Sequence, residues 1–244
     1  MLDATAAAED RHFWFKGLRR NARLLLTRGL AGRTPGLIVD CGAGTGRNLE
    51  WLSSFGPAVG VELSPTGLAH GRKHQRRLVR ASVTHLPFAD RSADVTTSFD
   101  VLYCLPGEAE HQAVREMWRV LKPGGLALVN VAALDVLRGS HSVLTHEQRR
   151  YTRGSLRALL SSAGVHIDTL TFANMRTFPV ALAVRGLERL TGRAGAASDA
   201  DLRVPAAPVN GFFNAALAVE GAWLRIGSLP IGSSLMALAR KPPA

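Results

Sequence analysis

The chain has 244 residues, of which 46% are hydrophobic and 20% charged, the proportions of a globular protein with room for one large domain or two small ones. Two cysteines, Cys41 and Cys104, are too few for a disulfide framework, and the opening MLDATAAAEDRHFWF lacks the basic-then-apolar order of a signal peptide, so a cytoplasmic protein is expected. The formal charge of +11 can draw phosphates or an anionic membrane surface, but aromatic residues make up only 6% and do not alternate with the basic clusters as base stacking requires, which disfavours nucleic acid.

Residues Ala6 to Leu30 carry helical periodicity, with Phe13, Leu18, Leu24 and Leu25 on one face, and Gly29, Gly32, Pro35 and Gly36 end it. This gives an N-terminal helical cap over residues 1–35. Leu37 to Val39 then reads as a strand buried on both faces. It ends in Asp40, Gly42, Gly44 and Gly46, and a helix from Arg47 to Phe55 follows. Further strands are expected at Ala58 to Leu63, Val79 to Val83, Ala93 to Phe99, Leu126 to Ala132, Val165 to Phe172 and Leu235 to Ala239. Intervening helices run from Ser64-Pro65 to Arg76, from Glu108 to Leu121 and from Thr152 to Ala163. Strands alternating with helices imply an α/β fold with a mostly parallel sheet covered on both faces. A core over 36–173 is interrupted before the last strand, at 234–244, by an insertion over 174–233. Its two apolar helical patterns, Phe178 to Leu190 and Phe212 to Ile226, flank a polar linker from Thr191 to Pro208. The uncharged run Val204 to Val219 is too short and too proline-rich to cross a membrane.

Glycine at every second position lets the backbone turn sharply and approach a ligand closely. The spacing is GxGxG; Arg47 stands where a dinucleotide fingerprint needs its third glycine, and no Gly-Lys-Ser/Thr follows for a P-loop. Glu62, at the end of the second strand, lies twenty residues after Gly42, where a carboxylate can accept both hydroxyls of an unphosphorylated ribose. A nucleoside without a pyrophosphate is the favoured ligand.

Taken in order, LIVDCGAGTG, VELS, LPFADRSADVTTSFDVL and VLKPGGLALV resemble the motif set of class I S-adenosylmethionine-dependent methyltransferases of the small-molecule type. EDRHFWFKGLRR and HEQRRYTRGSLRALLSSAG also resemble flanks of one bacterial branch whose substrates are mostly unassigned. The resemblance implies a Rossmann-like, doubly wound seven-stranded sheet and S-adenosyl-L-methionine as cofactor, with S-adenosyl-L-homocysteine as product. It puts Asp40, Gly42, Gly44 and Gly46 against the methionine portion, Glu62 on the ribose and Leu63 beside the adenine. Phe99 and Asp100 would close near the sulfonium. Ser82 and Val83 stand where the family often places an acid for the adenine amino group, and Cys104 where it often has histidine.

Candidate bases are His12, His141, His146 and Tyr151, in flanks that should cross the open end of the sheet. Phe13 and Trp14 could gate the acceptor. Arg149 and Arg150 could hold an anionic or carbonyl group, and Asn174 is a further candidate contact. The apolar residues from Phe212 to Ile226 suit a lid, a dimer contact, shallow membrane docking or plain core packing. No metal-ligand spacing surrounds either cysteine. The expected reaction is methylation, foremost of an oxygen, on a small apolar or lipid-like metabolite by a monomer or homodimer. Modification of RNA or protein, and a cofactor-binding module without methyl transfer, stay open as alternatives.

Overall fold

The computed structural model describes residues 1–192 and 198–243, so part of the expected linker from Thr191 to Pro208 lies outside the described residues. Seven strands form one sheet: β1 (Ile38–Cys41), β2 (Ala58–Glu62), β3 (Leu78–Arg80), β4 (Ala93–Phe99), β5 (Leu121–Ala132), β6 (His166–Ala173) and β7 (Ser234–Arg240). Their order is β3-β2-β1-β4-β5-β7-β6. Neighbours pair in parallel except around β7, which runs antiparallel to both β5 and β6. The expected Rossmann-like sheet is present.

Side-chain alternation divides the core into two layers. Along β5, Leu126 and Leu128 face one cluster while Ala127, Val129 and Val131 face the other; β7 splits in the same way, with Met236 and Leu238 opposite Leu235, Ala237 and Ala239. The first layer is closed by α2 (Phe13–Leu30) and α3 (Asn48–Leu52), which contribute Leu25, Leu26 and Leu52. The second is closed by α5 (Ala109–Val120) and α7 (Arg153–Ser161), through Val114, Met117, Leu156 and Leu160. Burial on both faces is what made β1 a short apolar run without alternation.

The N-terminal region differs from the single helix expected. It breaks after α1 (Leu2–Ala8), because His12 adopts an extended conformation and its Nδ1 accepts the backbone N–H of Trp14 at 3.1 Å, capping α2. Strand β5 also starts earlier than expected, at Leu121; Ala93 pairs with Leu121 and Val95 with Leu126, so the Lys122 to Gly125 turn is a bulge inside the strand. Helix α4 (Pro65–Lys73) follows β2 as expected, whereas a short helix, α6 (Ser140–Leu144), was not expected. Between β6 and β7 lie α8 (Phe178–Leu190), a 3₁₀ turn (Ala200–Leu202) and α9 (Ala207–Trp223), which packs along α2. Among the described residues no helix is long and apolar enough to cross a membrane.

Candidate functional site

A cavity of about 910 Å³ opens where the chain leaves β1, β2, β3 and β4, beside the point at which the strand order reverses. The loop after β1 forms its floor. Gly42, Gly44 and Gly46 all have positive φ (80°, 57° and 77°), and a Cβ on Gly42 would come within 2.4 Å of Val101. Gly42 and Gly44 line the cavity and Gly46 turns away from it. Behind the loop, Asp40 is buried; its Oδ1 accepts from Thr97 Oγ1 at 2.6 Å and its Oδ2 has no partner. Burial, with the nearby charge of Glu62 adding to it, pushes the Asp40 carboxyl up to about 7.

Glu62 lines the cavity and organises its lip. One carboxylate oxygen accepts from the Gly44 N–H and the other from the Ser64 N–H, each at 2.7 Å, which leaves a lone pair on each for a hydroxyl. Leu63, 59% exposed, stands beside Ala81, Ser82 and Val83 on the same wall. The Ser82 hydroxyl is engaged with Thr84, at 2.8 Å from its Oγ1. Phe99 and Asp100 complete the wall at the end of β4. Asn130 Nδ2 donates to Asp100 Oδ1 at 2.9 Å, yet burial raises the Asp100 carboxyl to about 7. Cys104 also lines the cavity; burial raises its thiol to about 12, so it is neutral and non-nucleophilic.

The segment between α1 and α2 fastens itself to this loop, a contact the sequence did not disclose. Thr45 Oγ1 donates to the buried Glu9 carboxylate at 2.8 and 3.0 Å, and Arg47 pairs with Asp10 at 2.5 Å. Residues of α1 therefore cover one side of the cavity, where Leu2, Asp3 and Thr5 line it.

The sequence-derived base candidates separate. His12 lines the cavity, but its Nδ1 lone pair is committed to the α2 cap, so the neutral ring carries its proton on Nε2 and has no free lone pair. Burial lowers its pKa to about 4, which keeps the ring neutral. His141, on α6, also lines the cavity; its Nδ1 is buried without a partner. Burial, and then the charges of Arg185 and Arg150, lower its pKa, so it too is neutral. His146 is exposed on a positive-φ turn and does not line the cavity. Tyr151 lies outside it as well: the phenol donates to Glu110, and burial followed by that carboxylate holds its pKa above the ordinary value.

The substrate candidates separate in the same way. Phe13, Trp14 and Arg150 line the cavity, with Arg150 paired to Glu147 at 2.7 Å, whereas Arg149 pairs with Glu110 outside it. Asn174 is fully buried beneath the site; its N–H donates to Glu220 Oε1 at 2.6 Å and its Nδ2 to Ser234 Oγ at 3.1 Å. Its role here is to tie β6 to α9 and β7. The far wall comes from Phe213, within the run read as a possible lid, and from residues that the sequence did not single out: Leu137, Thr177, Val180, Ala181 and Val184, with Arg185 held by Glu188 and Asp201. Among the described residues no cluster of His, Cys, Asp and Glu could hold a metal ion.

Residues 39–129 match the family described as Methyltransferase domain. A demethylmenaquinone methyltransferase of Roseiflexus sp. (strain RS-1) is 31% identical over 173 residues, covering 67% of this chain and 70% of that one. The chain belongs to the class I S-adenosylmethionine-dependent methyltransferases. An uncharacterised methyltransferase of Mycobacterium sp. (strain KMS) is 38% identical over 132 residues, and the match spans about half of its length, 52%, and 49% of this chain. The chain also shares its fold with the 1,6-didemethyltoxoflavin-N1-methyltransferase of Burkholderia thailandensis, solved with bound 1,6-didemethyltoxoflavin and S-adenosylhomocysteine (TM-score 0.57, 17% identity, 98% of this chain and 86% of that one). The methyl donor of this family is S-adenosyl-L-methionine, and its product is S-adenosyl-L-homocysteine.

Proposed function

We propose that this methyltransferase transfers the donor's methyl group to an oxygen of a small, apolar or lipid-like acceptor. The observation that carries the reading is a single cavity that joins two unlike halves. One is the glycine loop with Glu62 and the Leu63–Val83 wall, and the other is a chamber near His141 in which Leu137, Val180, Ala181, Val184 and Phe213 give apolar surface beside Arg150, Arg185 and Glu147. The relative named for demethylmenaquinone supports an acceptor of apolar character.

The residues present fit the donor. The side-chain-free backbone of Gly42 and Gly44 in the cavity lining suits its methionine end, with the unpartnered Asp40 Oδ2 buried behind that loop. Glu62 retains acceptor capacity for two ribose hydroxyls, and Leu63 with Val83 offers apolar surface to the adenine. When bound, the donor supplies an electrophilic methyl on a cationic sulfur. What the chain must add is alignment, worth roughly 7–11 kcal/mol where the reacting atoms are held in line. Asp100 places a carboxylate at the cavity wall where positive charge would lie, and Phe99 helps exclude water. His141, neutral and with a free lone pair, takes the acceptor's proton.

Calorimetry with S-adenosylhomocysteine tests the donor half: binding is expected, and Glu62→Ala should weaken it at least tenfold, about 1.4 kcal/mol. No binding would sink the proposal. Mass spectrometry of a cell extract incubated with the protein and methyl-labelled donor then identifies the acceptor. With that acceptor, His141→Gln should lower kcat by about 10²–10⁴-fold while leaving S-adenosylhomocysteine affinity unchanged. An unchanged kcat would remove His141 as the base.

A further inference from the structure

The helix α9 has its polarity the wrong way round for a surface helix. From Val204 to Leu224 the only ionisable residue is Glu220, which is buried, where its carboxylate accepts the backbone N–H groups of Asn174 and Arg176. The polar side chains Asn210 and Asn214 also turn inward. Asn210 bonds the backbone at Arg11 and Phe13, and Asn214 accepts from Arg20. What faces solvent is apolar: Val209, Phe212 (69% exposed), Val219 and Trp223 (55%) on α9 and Ile226 (80%) in the turn after it, at steps of three, seven, four and three. A helix that sends its amides and carboxylate inward and two of its three aromatics outward is built to leave water on its outer side.

The surroundings of this stripe decide what covers it. Arg20 and Arg28 of α2 lie along α9, the latter donating to the Leu224 carbonyl at 3.0 Å, and Arg225 is exposed at its C-terminal end. Among the described residues none of the three has a carboxylate within ion-pair distance, and no acidic side chain is exposed on α9. A second copy would bring the same uncompensated cations against one another, in a chain whose formal charge is +11. An anionic lipid surface meets both features, taking the apolar stripe into its headgroup boundary and the arginines onto its phosphates.

We propose that the outer face of α9 docks the protein on an anionic membrane surface. Phe213, the neighbour of Phe212, stacks on Phe13 at 5.0 Å between ring centroids and lines the cavity, so the docked face adjoins the acceptor chamber. That adjacency lets an acceptor dissolved in lipid reach the site without crossing water, a point that rests on the methyl-transfer reading. The docking itself does not.

The test is sedimentation of the full chain with vesicles of phosphatidylcholine, with and without phosphatidylglycerol. Pelleting with the phosphatidylglycerol vesicles is expected, and it should weaken as salt is raised. Phe212→Ser combined with Trp223→Ser should cut vesicle affinity roughly tenfold or more, since apolar insertion supplies much of such binding. Arg28→Gln with Arg225→Gln should remove the salt-sensitive part. Both pairs should bind S-adenosylhomocysteine like the parent, which separates loss of docking from loss of fold or of the donor site. Should the serine pair fail to fold, the milder Trp223→Phe decides: brominated phosphatidylglycerol should quench tryptophan emission in the parent and much less in the variant. The proposal is overturned if anionic vesicles pellet no protein at low salt, or if neither pair of substitutions nor the quenching contrast has an effect. A dimer that the serine pair splits, with no vesicle binding, overturns it in favour of a second copy on this face.

Discussion

Asp40 shows how a residue read as a ligand contact can also hold stored electrostatic cost. Its carboxyl is fully enclosed, bonded on one oxygen by Thr97 and unsatisfied on the other. Raised from an ordinary value of 3.8 to about 7, it makes the charged form more costly in the fold, by up to about 4 kcal/mol at pH 8. A folded-state pKa above the unfolded one adds stability that is complete below the unfolded value and is lost as pH rises toward 7. Asp40→Asn keeps the acceptor for Thr97 and removes the charge. The ligand-free variant should therefore melt higher than the parent at pH 8, and the difference should vanish near pH 4, where both side chains are neutral. Thermal melts at the two pH values check this; equal differences at both would show that the carboxylate carries no burial cost. The sequence supplied Asp40 because it ends a strand before a glycine loop. It could not show that the carboxylate sits behind the loop rather than on the cavity surface, since that depends on how β4 brings Thr97 alongside.

At the scale of elements, the core strands and the helices between them were legible because each carries a local signal, whether an apolar run, a proline at a helix start or a glycine turn. The break between α1 and α2 was not, because His12 reads as part of an aromatic helix face. Its cap makes a direct prediction. His12→Ala leaves the Trp14 N–H without its acceptor and should cost about 0.5–2 kcal/mol, whereas His12→Asn should recover most of the loss. Chemical denaturation measures the stability. If His12→Asn also keeps methyl transfer on the identified acceptor, the residue is a cap and not the base; if transfer is lost with stability intact, the base assignment moves back to His12. The segment from Leu134 to Tyr151 was harder to read for a related reason. It has no period, and tertiary packing alone decides that His141 and Arg150 line the cavity while His146, Arg149 and Tyr151 lie outside it. Val180, Val184, Arg185 and Phe213 reach the site across an insertion whose packing no short motif encodes. Thr45 meets Glu9 across a sequence separation of 36 residues.

Across the whole molecule, a chain of formal charge +11 belongs to a family whose donor is itself cationic. The compensation is local: Asp40, Glu62, Asp100 and Glu147 gather at the carboxyl end of the sheet, in and behind one cavity, and low-dielectric walls concentrate their field there. Asp100, raised to about 7 without ligand and lining the cavity, should be drawn into the charged form by a sulfonium, so its value falls on binding, whereas Asp40, behind the loop, meets the same methionine end in both ligands. Binding then releases a proton in the interval between the lowered value and 7. The affinity for S-adenosylmethionine should climb as pH rises toward 7, by up to about tenfold per unit for each proton released, and level off above it. S-adenosylhomocysteine, with a neutral thioether, should show a much shallower dependence. Calorimetric titration of both ligands from pH 5.5 to 8.5, in buffers of differing ionisation enthalpy, reads the affinity and the proton count together, over a span of roughly three units around the Asp100 carboxyl. Parallel pH profiles for the two ligands would place the sulfonium away from Asp100 and leave the net positive charge of the chain uncompensated at the donor.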